Sequence, residues 1–179
     1  MGMNIVGEAF AIADSAHRGT YRKGYNLPYI VHPMRVADVL GRYTKDDKIL
    51  AAALLHDVLE DCVEDRLVEY QQRIRQQCGD DVLSLVEDLT KPPMVDKKEY
   101  MASFATKPVE ALVIKLFDRM DNIIDFSFHQ PDYAPAYRAK ATAFHEAALN
   151  RLDEINTRFG YRLAKVCDTF ATVALEQQK

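Results

Sequence analysis

Between Ile49 and Leu55 the chain runs through seven apolar residues without a break, and then turns polar at once: His56, Asp57, Glu60 and Asp61 fill four of the next six positions. A helical run this apolar must be buried on nearly every side. It is also far shorter than the roughly 20 residues a membrane span needs. At about 100° per residue a helix would stack 56 over 60 and 57 over 61, so one wall carries four polar heads. Buried imidazoles and carboxylates need a partner. With no thiolate among them, a divalent cation of the manganese type fits better than a closed structural zinc site.

Two distant segments offer ligands of the same kind: Pro28-Tyr29-Ile30-Val31-His32-Pro33 upstream and Ile114-Lys115-Leu116-Phe117-Asp118-Arg119-Met120-Asp121-Asn122 downstream. The order His, His-Asp, distant Asp resembles the HD superfamily of metal-dependent phosphohydrolases. On that reading His32, His56, Asp57 and Asp118 hold one Mn²⁺-like ion and leave room for a water and a phosphoryl oxygen. Glu60 and Asp61 lie one turn further on. There they either serve as general acid and base or form a solvated helix end. Asn122 offers a donor and an acceptor to a ligand or a sugar hydroxyl, or else is a surface residue. Arg22 and Lys23 share a loop with Tyr21 and Tyr25, where a guanidinium can stack on a base and an ammonium can meet a phosphate. A plain solvated basic loop is the alternative. Lys91, Lys115 and Arg119 are further candidates for phosphate contacts, whereas His17, His129 and His145 read as structural or surface histidines.

The rest of the chain reads as helix after helix. Apolar spacing predicts helices over 4–17, from Pro33 to about Tyr43, and from Asp46-Asp47 through the His56-Asp57 pair. Met34, Val36, Ala37, Val39 and Leu40 are expected to face inward. Further helices are expected over Arg66–Cys78, stopped by Gly79, over Val82–Leu89 capped by Asp80 or Asp81, and over 96–106. A long one starts at Pro108, and Asp132–Phe159 and Tyr161–Glu176 follow, with Gly160 as the break. No strand alternation is evident. The expected class is all-α: one domain over 1–179, with the motifs within 17–125 and helices over 132–177 completing the bundle or forming a homo-oligomeric face.

Charge and cysteine usage narrow the partners. A net charge of −4 speaks against nucleic acid as a partner, though not against a small anionic substrate. Cys62, Cys78 and Cys167 form no C-x-x-C and suggest neither a disulfide framework nor a thiolate site. The N-terminus, M-G-M-N-I-V-G-E-A-F, has no basic head followed by an apolar core, so neither export nor a membrane is expected and the protein is placed in the cytoplasm.

Four blocks together define a narrower likeness: R-K-G-Y-N-L-P-Y-I-V-H-P, A-A-L-L-H-D-V-L-E-D, L-T-K and V-I-K-L-F-D-R-M-D-N. They resemble the hydrolase domain of the RelA/SpoT homologue family, and the chain is similar to that family's small stand-alone alarmone hydrolases of the Mesh1 type. The resemblance implies an HD-type helical bundle that removes the 3′-pyrophosphate of ppGpp and pppGpp with Mn²⁺. By position it makes His32, His56, Asp57 and Asp118 the metal ligands and Glu60 with Asp61 the catalytic pair. It makes Arg22 or Lys23 the holders of the base, and Asn122 the asparagine near the ribose. The loop Arg22–Pro28 is one residue longer than the family's usual R-K-S-G-E-P, and Asp121 and Asp125 stand where many members have His and Thr. Guanine against adenine preference is therefore open. A related phosphohydrolase for NADPH, a deoxynucleotide or ppApp, or a regulatory nucleotide-binding module, are the competing readings.

Overall fold

Short polar side chains start two of the first three helices. In the computed structural model, which describes residues 4–62 and 64–177, the side chain of Asn4 accepts from the Gly7 amide at 3.0 Å and opens α1 (Ile5–Ala16). The first three residues of the stretch read for an export signal lie outside the described residues. Next comes α2 (Val31–Leu40). Asp46 caps α3 (Asp47–Leu55) by accepting from the Lys48 amide at 3.1 Å. A one-turn α4 (Val58–Asp61), α5 (Leu67–Cys78) and α6 (Asp80–Leu89) follow. The chain divides into two compact units, residues 1–90 and 91–179.

In the first unit α3 is central and packs against α1, α2 and α6, while α5 packs against α1 and α6. Ala51, Ala52, Ala53 and Leu55 are fully buried, as the apolar run requires, and only Leu50 within it is half-buried. The inward reading of Met34 is corrected: it is 44% exposed. The buried face of α2 is His32, Pro33, Val36 and Leu40, and at about 100° per residue position 34 points the opposite way. α2 also ends at Leu40 rather than Tyr43. Beyond it Arg42 and Tyr43 make tighter i→i−3 bonds to Val39 and Leu40, as a fraying last turn does. Gly79, with φ 94° and ψ 166°, joins α5 to α6 in a region open only to glycine. It replaces Asp80 and Asp81 as the cap, and their charges sit in the first turn, where the helix dipole favours them.

The second unit holds α7 (Lys97–Ser103), the long α8 (Val109–His129), α9 (Ala134–Ala139), α10 (Thr142–Asn150), α11 (Leu152–Phe159) and α12 (Tyr161–Glu176). The single helix expected over 132–159 is therefore three. One break falls at Arg151, whose guanidinium reaches the carbonyls of Phe104 at 2.9 Å and Lys107 at 2.7 Å while pairing with Glu154. These bonds satisfy the turn after α7 and hold Arg151 out of helical backbone, at φ −113° and ψ 17°. α10 packs on α7 and α12, and α11 and α12 pack on α8. Phe104 and Phe144 meet edge to face at 5.2 Å in this core.

Among the described residues there is no strand, only one isolated antiparallel bridge between Tyr21 and Pro28. The all-α class stands. No helix among them is long and apolar enough to cross a membrane. The three thiols are unbridged, and burial pushes Cys78 up to about 11 and Cys167 up to about 12, so both stay protonated and unreactive at neutral pH.

His145 lies fully buried against Phe144 and Phe170, with no hydrogen-bond partner on either ring nitrogen. Burial, aided by the positive charge of Arg119, lowers its pKa from 6.5 to about 4. The unfolded ring thus takes a proton at higher pH than the folded one, so stability is lost as pH falls from 6.5 toward 4. The expected contribution is about 2 kcal/mol lost between pH 7 and pH 5. Urea unfolding of the wild type and of His145→Leu at both pH values checks this: the variant should show a smaller acid loss by about that amount.

Candidate metal centre

The helix that starts at Asp47 does not run through to Asp61 as the sequence suggests. It stops at Leu55; His56 caps its end and Asp57, at φ −102° and ψ −7°, begins the short α4. The rows 56/60 and 57/61 are therefore not those of one continuous helix. The turn brings Nδ1 of His56 to 2.8 Å from the Ala53 carbonyl. A carbonyl only accepts, so Nδ1 carries the proton and Nε2 of the neutral ring presents a lone pair.

That lone pair points at other donors. Nε2 of His56 lies 3.3 Å from Nε2 of His32 and 3.2 Å from Oδ2 of Asp57, and His32 Nε2 is 3.6 Å from the same oxygen. Both imidazoles are fully buried. Ligand atoms about 2.1 Å from a six-coordinate ion sit roughly 3 Å apart at adjacent corners. The triangle of two nitrogens and one oxygen has that size, so its geometry and its donor chemistry both suit a divalent cation. His32 reaches it from the first turns of α2, and His56 and Asp57 from the break after α3.

Two more residues of the same unit, Tyr29 and His17, to which the sequence reading gave no part in the site, complete the surroundings. The Tyr29 hydroxyl donates to Oδ2 of Asp57 at 2.7 Å and also hydrogen-bonds Asp61. The His17 ring lies 4.7 Å from the Tyr29 ring. Burial first, then the nearby His56 and His32, lower the pKa of His17 to about 4 against the opposing pull of Asp57. It is thus a buried, neutral structural histidine beside the centre. The spacing Y-x-x-H, which sets Tyr29 three residues before His32, was the available signal; His17 had none.

Asp61 and Glu60 both stand on the exposed side of α4. The Asp61 carboxyl is nevertheless pushed up to about 6, first by desolvation of its head and then by the charge of Asp57. Arg22 is nearly buried and its guanidinium lies over the Tyr29 ring, 5.4 Å from the centroid, whereas Lys23 is exposed. Their loop is closed by Tyr29 N–H to Thr20 at 2.9 Å and Arg22 N–H to Leu27 at 2.8 Å.

The second unit holds the other predicted residues. Asp118 on α8 is buried; Asn122 donates to its Oδ1 at 2.5 Å and the Lys115 ammonium sits 2.8 Å from its Oδ2. Lys91 donates to the carbonyls of Pro92 and Val95 in its own loop, at 3.0 and 3.2 Å. Arg119 is buried with its guanidinium 4.4 Å from the Tyr137 ring centroid and donates to the Tyr137 carbonyl at 3.0 Å, so it packs the core and offers no phosphate contact.

The site is that of an all-helical chain in which the buried His32 and His56 and the neighbouring Asp57 form a triangle of potential metal donors. The HD domain family matches residues 9–144, so the chain belongs to the HD domain family. Among curated proteins it is 37% identical over 135 residues to the bifunctional (p)ppGpp synthase/hydrolase SpoT of Escherichia coli, covering 70% of this chain and 18% of that one. It is 32% identical over 139 residues to a probable GTP pyrophosphokinase of Mycobacterium leprae, covering 73% and 17%. The chain thus spans less than a fifth of the length of these relatives. A solved structure described as a metazoan ortholog of SpoT that hydrolyzes ppGpp superposes with a TM-score of 0.74 over 93% of each chain at 24% identity, which shows the shared fold.

In the metal-free protein the Asp61 carboxyl should titrate near pH 6 by ¹³C NMR. Asp57→Asn removes a neighbouring negative charge and should lower that value; an unchanged value would remove Asp57 as a cause.

Proposed function

We propose that this chain is a metal-dependent hydrolase of (p)ppGpp-type alarmones, removing the 3′-pyrophosphate to leave GDP or GTP. The observation that carries the reading is the triangle of His32, His56 and Asp57, with its fixed imidazole tautomer, inside an HD domain match that extends across both units. The names borne by relatives support the substrate: SpoT of E. coli is a (p)ppGpp synthase/hydrolase, and the metazoan structural neighbour hydrolyzes ppGpp. In this reading Asp118 supplies the fourth donor, held ready by Lys115 and Asn122, and residues 1–179 act as one domain. The ion is a single Mn²⁺.

When bound, such a cation supplies the Lewis acidity that makes a water acidic and offsets phosphoryl charge. The protein's own groups handle protons and placement. Glu60 takes a proton from the attacking water, whose oxygen joins the phosphorus attached to the ribose 3′ oxygen. As the bond from that phosphorus to the 3′ oxygen breaks, Asp61 delivers a proton to the leaving oxygen. Desolvation raises the Asp61 carboxyl above the ordinary range in the metal-free protein, the direction a general acid needs. Arg22 on its Tyr29 platform stacks on the base, Lys23 meets a phosphate, and Asn122 orients the ribose.

The test is an Mn²⁺ assay over ppGpp, pppGpp, ppApp, NADPH and dNTPs that separates pyrophosphate from orthophosphate. Pyrophosphate and GDP from ppGpp are expected; orthophosphate alone, or turnover only of NADPH or a dNTP, moves the substrate to another nucleotide. Asp57→Ala should abolish Mn²⁺ binding by calorimetry together with activity. Glu60→Gln should bind Mn²⁺ as the wild type does and lose about 10²-fold or more in kcat. Normal turnover by Glu60→Gln would show that this carboxylate moves no proton. Thermal unfolding should show one cooperative transition, and two separated ones would argue for two domains.

A further inference from the structure

We propose that Tyr29 is a positioning residue that aims the Asp57 carboxylate at the metal and ties it to the loop that receives the substrate base. The inference rests on the reading of Asp57 as a metal ligand. A carboxylate has about four lone-pair directions. On Asp57 the Tyr29 hydroxyl takes one of those on Oδ2, at 2.7 Å, while the same oxygen faces the two Nε2 atoms at 3.2 and 3.6 Å. The phenol therefore fixes the rotation of the carboxylate, leaving its remaining direction on that oxygen toward the imidazoles.

The ring does the rest of the tying. One neighbour is the Arg22 guanidinium, 5.4 Å from its centroid, and others are His17 at 4.7 Å and the edge of His32 at 5.9 Å. Tyr29 is also the closing residue of the loop, through its amide on the Thr20 carbonyl. One side chain thus touches the base-side arginine, two imidazoles and the carboxylates of Asp57 and Asp61. Hydroxyl and ring have separable tasks: the hydroxyl sets metal affinity and turnover, and the ring sets base affinity through Arg22.

Partners that orient metal ligands typically change metal affinity or activity by about 10–100-fold when removed. Tyr29→Phe keeps the ring and should raise the Kd for Mn²⁺, read by calorimetry without substrate, about tenfold. Its kcat should fall while KM for ppGpp holds within about twofold. Tyr29→Leu should lose metal affinity likewise and raise KM as well, because Arg22 loses its platform. A Tyr29→Phe protein that binds Mn²⁺ as the wild type does overturns the proposal. In the wild type, a ¹³Cζ-tyrosine resonance assigned to Tyr29 should shift when diamagnetic Zn²⁺ is added, and a static resonance overturns it independently of any variant. Asp57→Ala separates the two levels of the argument: if that variant keeps Mn²⁺ affinity, the ligand reading itself fails, whereas loss there with an unaffected Tyr29→Phe defeats only the role of the tyrosine.

Discussion

A single hydrogen bond, from His56 Nδ1–H to the carbonyl of Ala53 at 2.8 Å, is what the centre depends on. It settles which nitrogen of His56 carries the proton, and thereby turns a buried ring into an outward-facing donor. It exists because α3 stops at Leu55 and the chain turns before α4 resumes. Without that turn His56 and Asp57 would point in directions about 100° apart on a continuous helix. With it, both meet His32 at one place. The apolar run before the turn has a clear task as well. Ala51, Ala52 and Ala53 are small enough for α1 and α2 to pack closely on α3, and α2 carries His32.

Electrostatics in each unit follow from the same economy. Around the triangle in the first unit, His17 is kept neutral by burial and Asp61 is drawn toward its protonated form by desolvation and by Asp57. In the second unit Asp118 has a cation on one oxygen and an amide on the other. A buried carboxylate so supported keeps a fixed direction even before any ligand arrives.

Much of this could be read from the residues. The helical class, the burial of Ile49–Leu55, the glycine breaks at 79 and 160, and the Asp118–Asn122 pair on α8 follow from periodicity, glycine chemistry and i,i+4 spacing, whereas the gathering of His32, His56 and Asp57 was legible only through the likeness to the HD superfamily. What could not be read has physical reasons. Nothing local announces the break at His56, since both sides of it have helical preference and the ring bond to Ala53 forms only once the chain has turned. Of the two breaks within 132–159, the one at Arg151 goes with that side chain reaching carbonyls more than forty residues earlier in the chain. The bonds of Lys91 to the Pro92 and Val95 carbonyls could not be read either, because they need the folded loop. His17 was hidden for the same cause, as its place comes from rings meeting across a turn, whereas Tyr29 was signalled by its Y-x-x-H spacing to His32.

The central claim is that two imidazole nitrogens and one or more carboxylates bind a single ion at this place. Pulsed EPR of the Mn²⁺-loaded protein, labelled with ¹⁵N only in histidine, tests it most directly. The account predicts hyperfine couplings from two imidazole nitrogens, both lost when His32 and His56 are replaced together. A tightly bound Mn²⁺ that shows no histidine ¹⁵N coupling would contradict it.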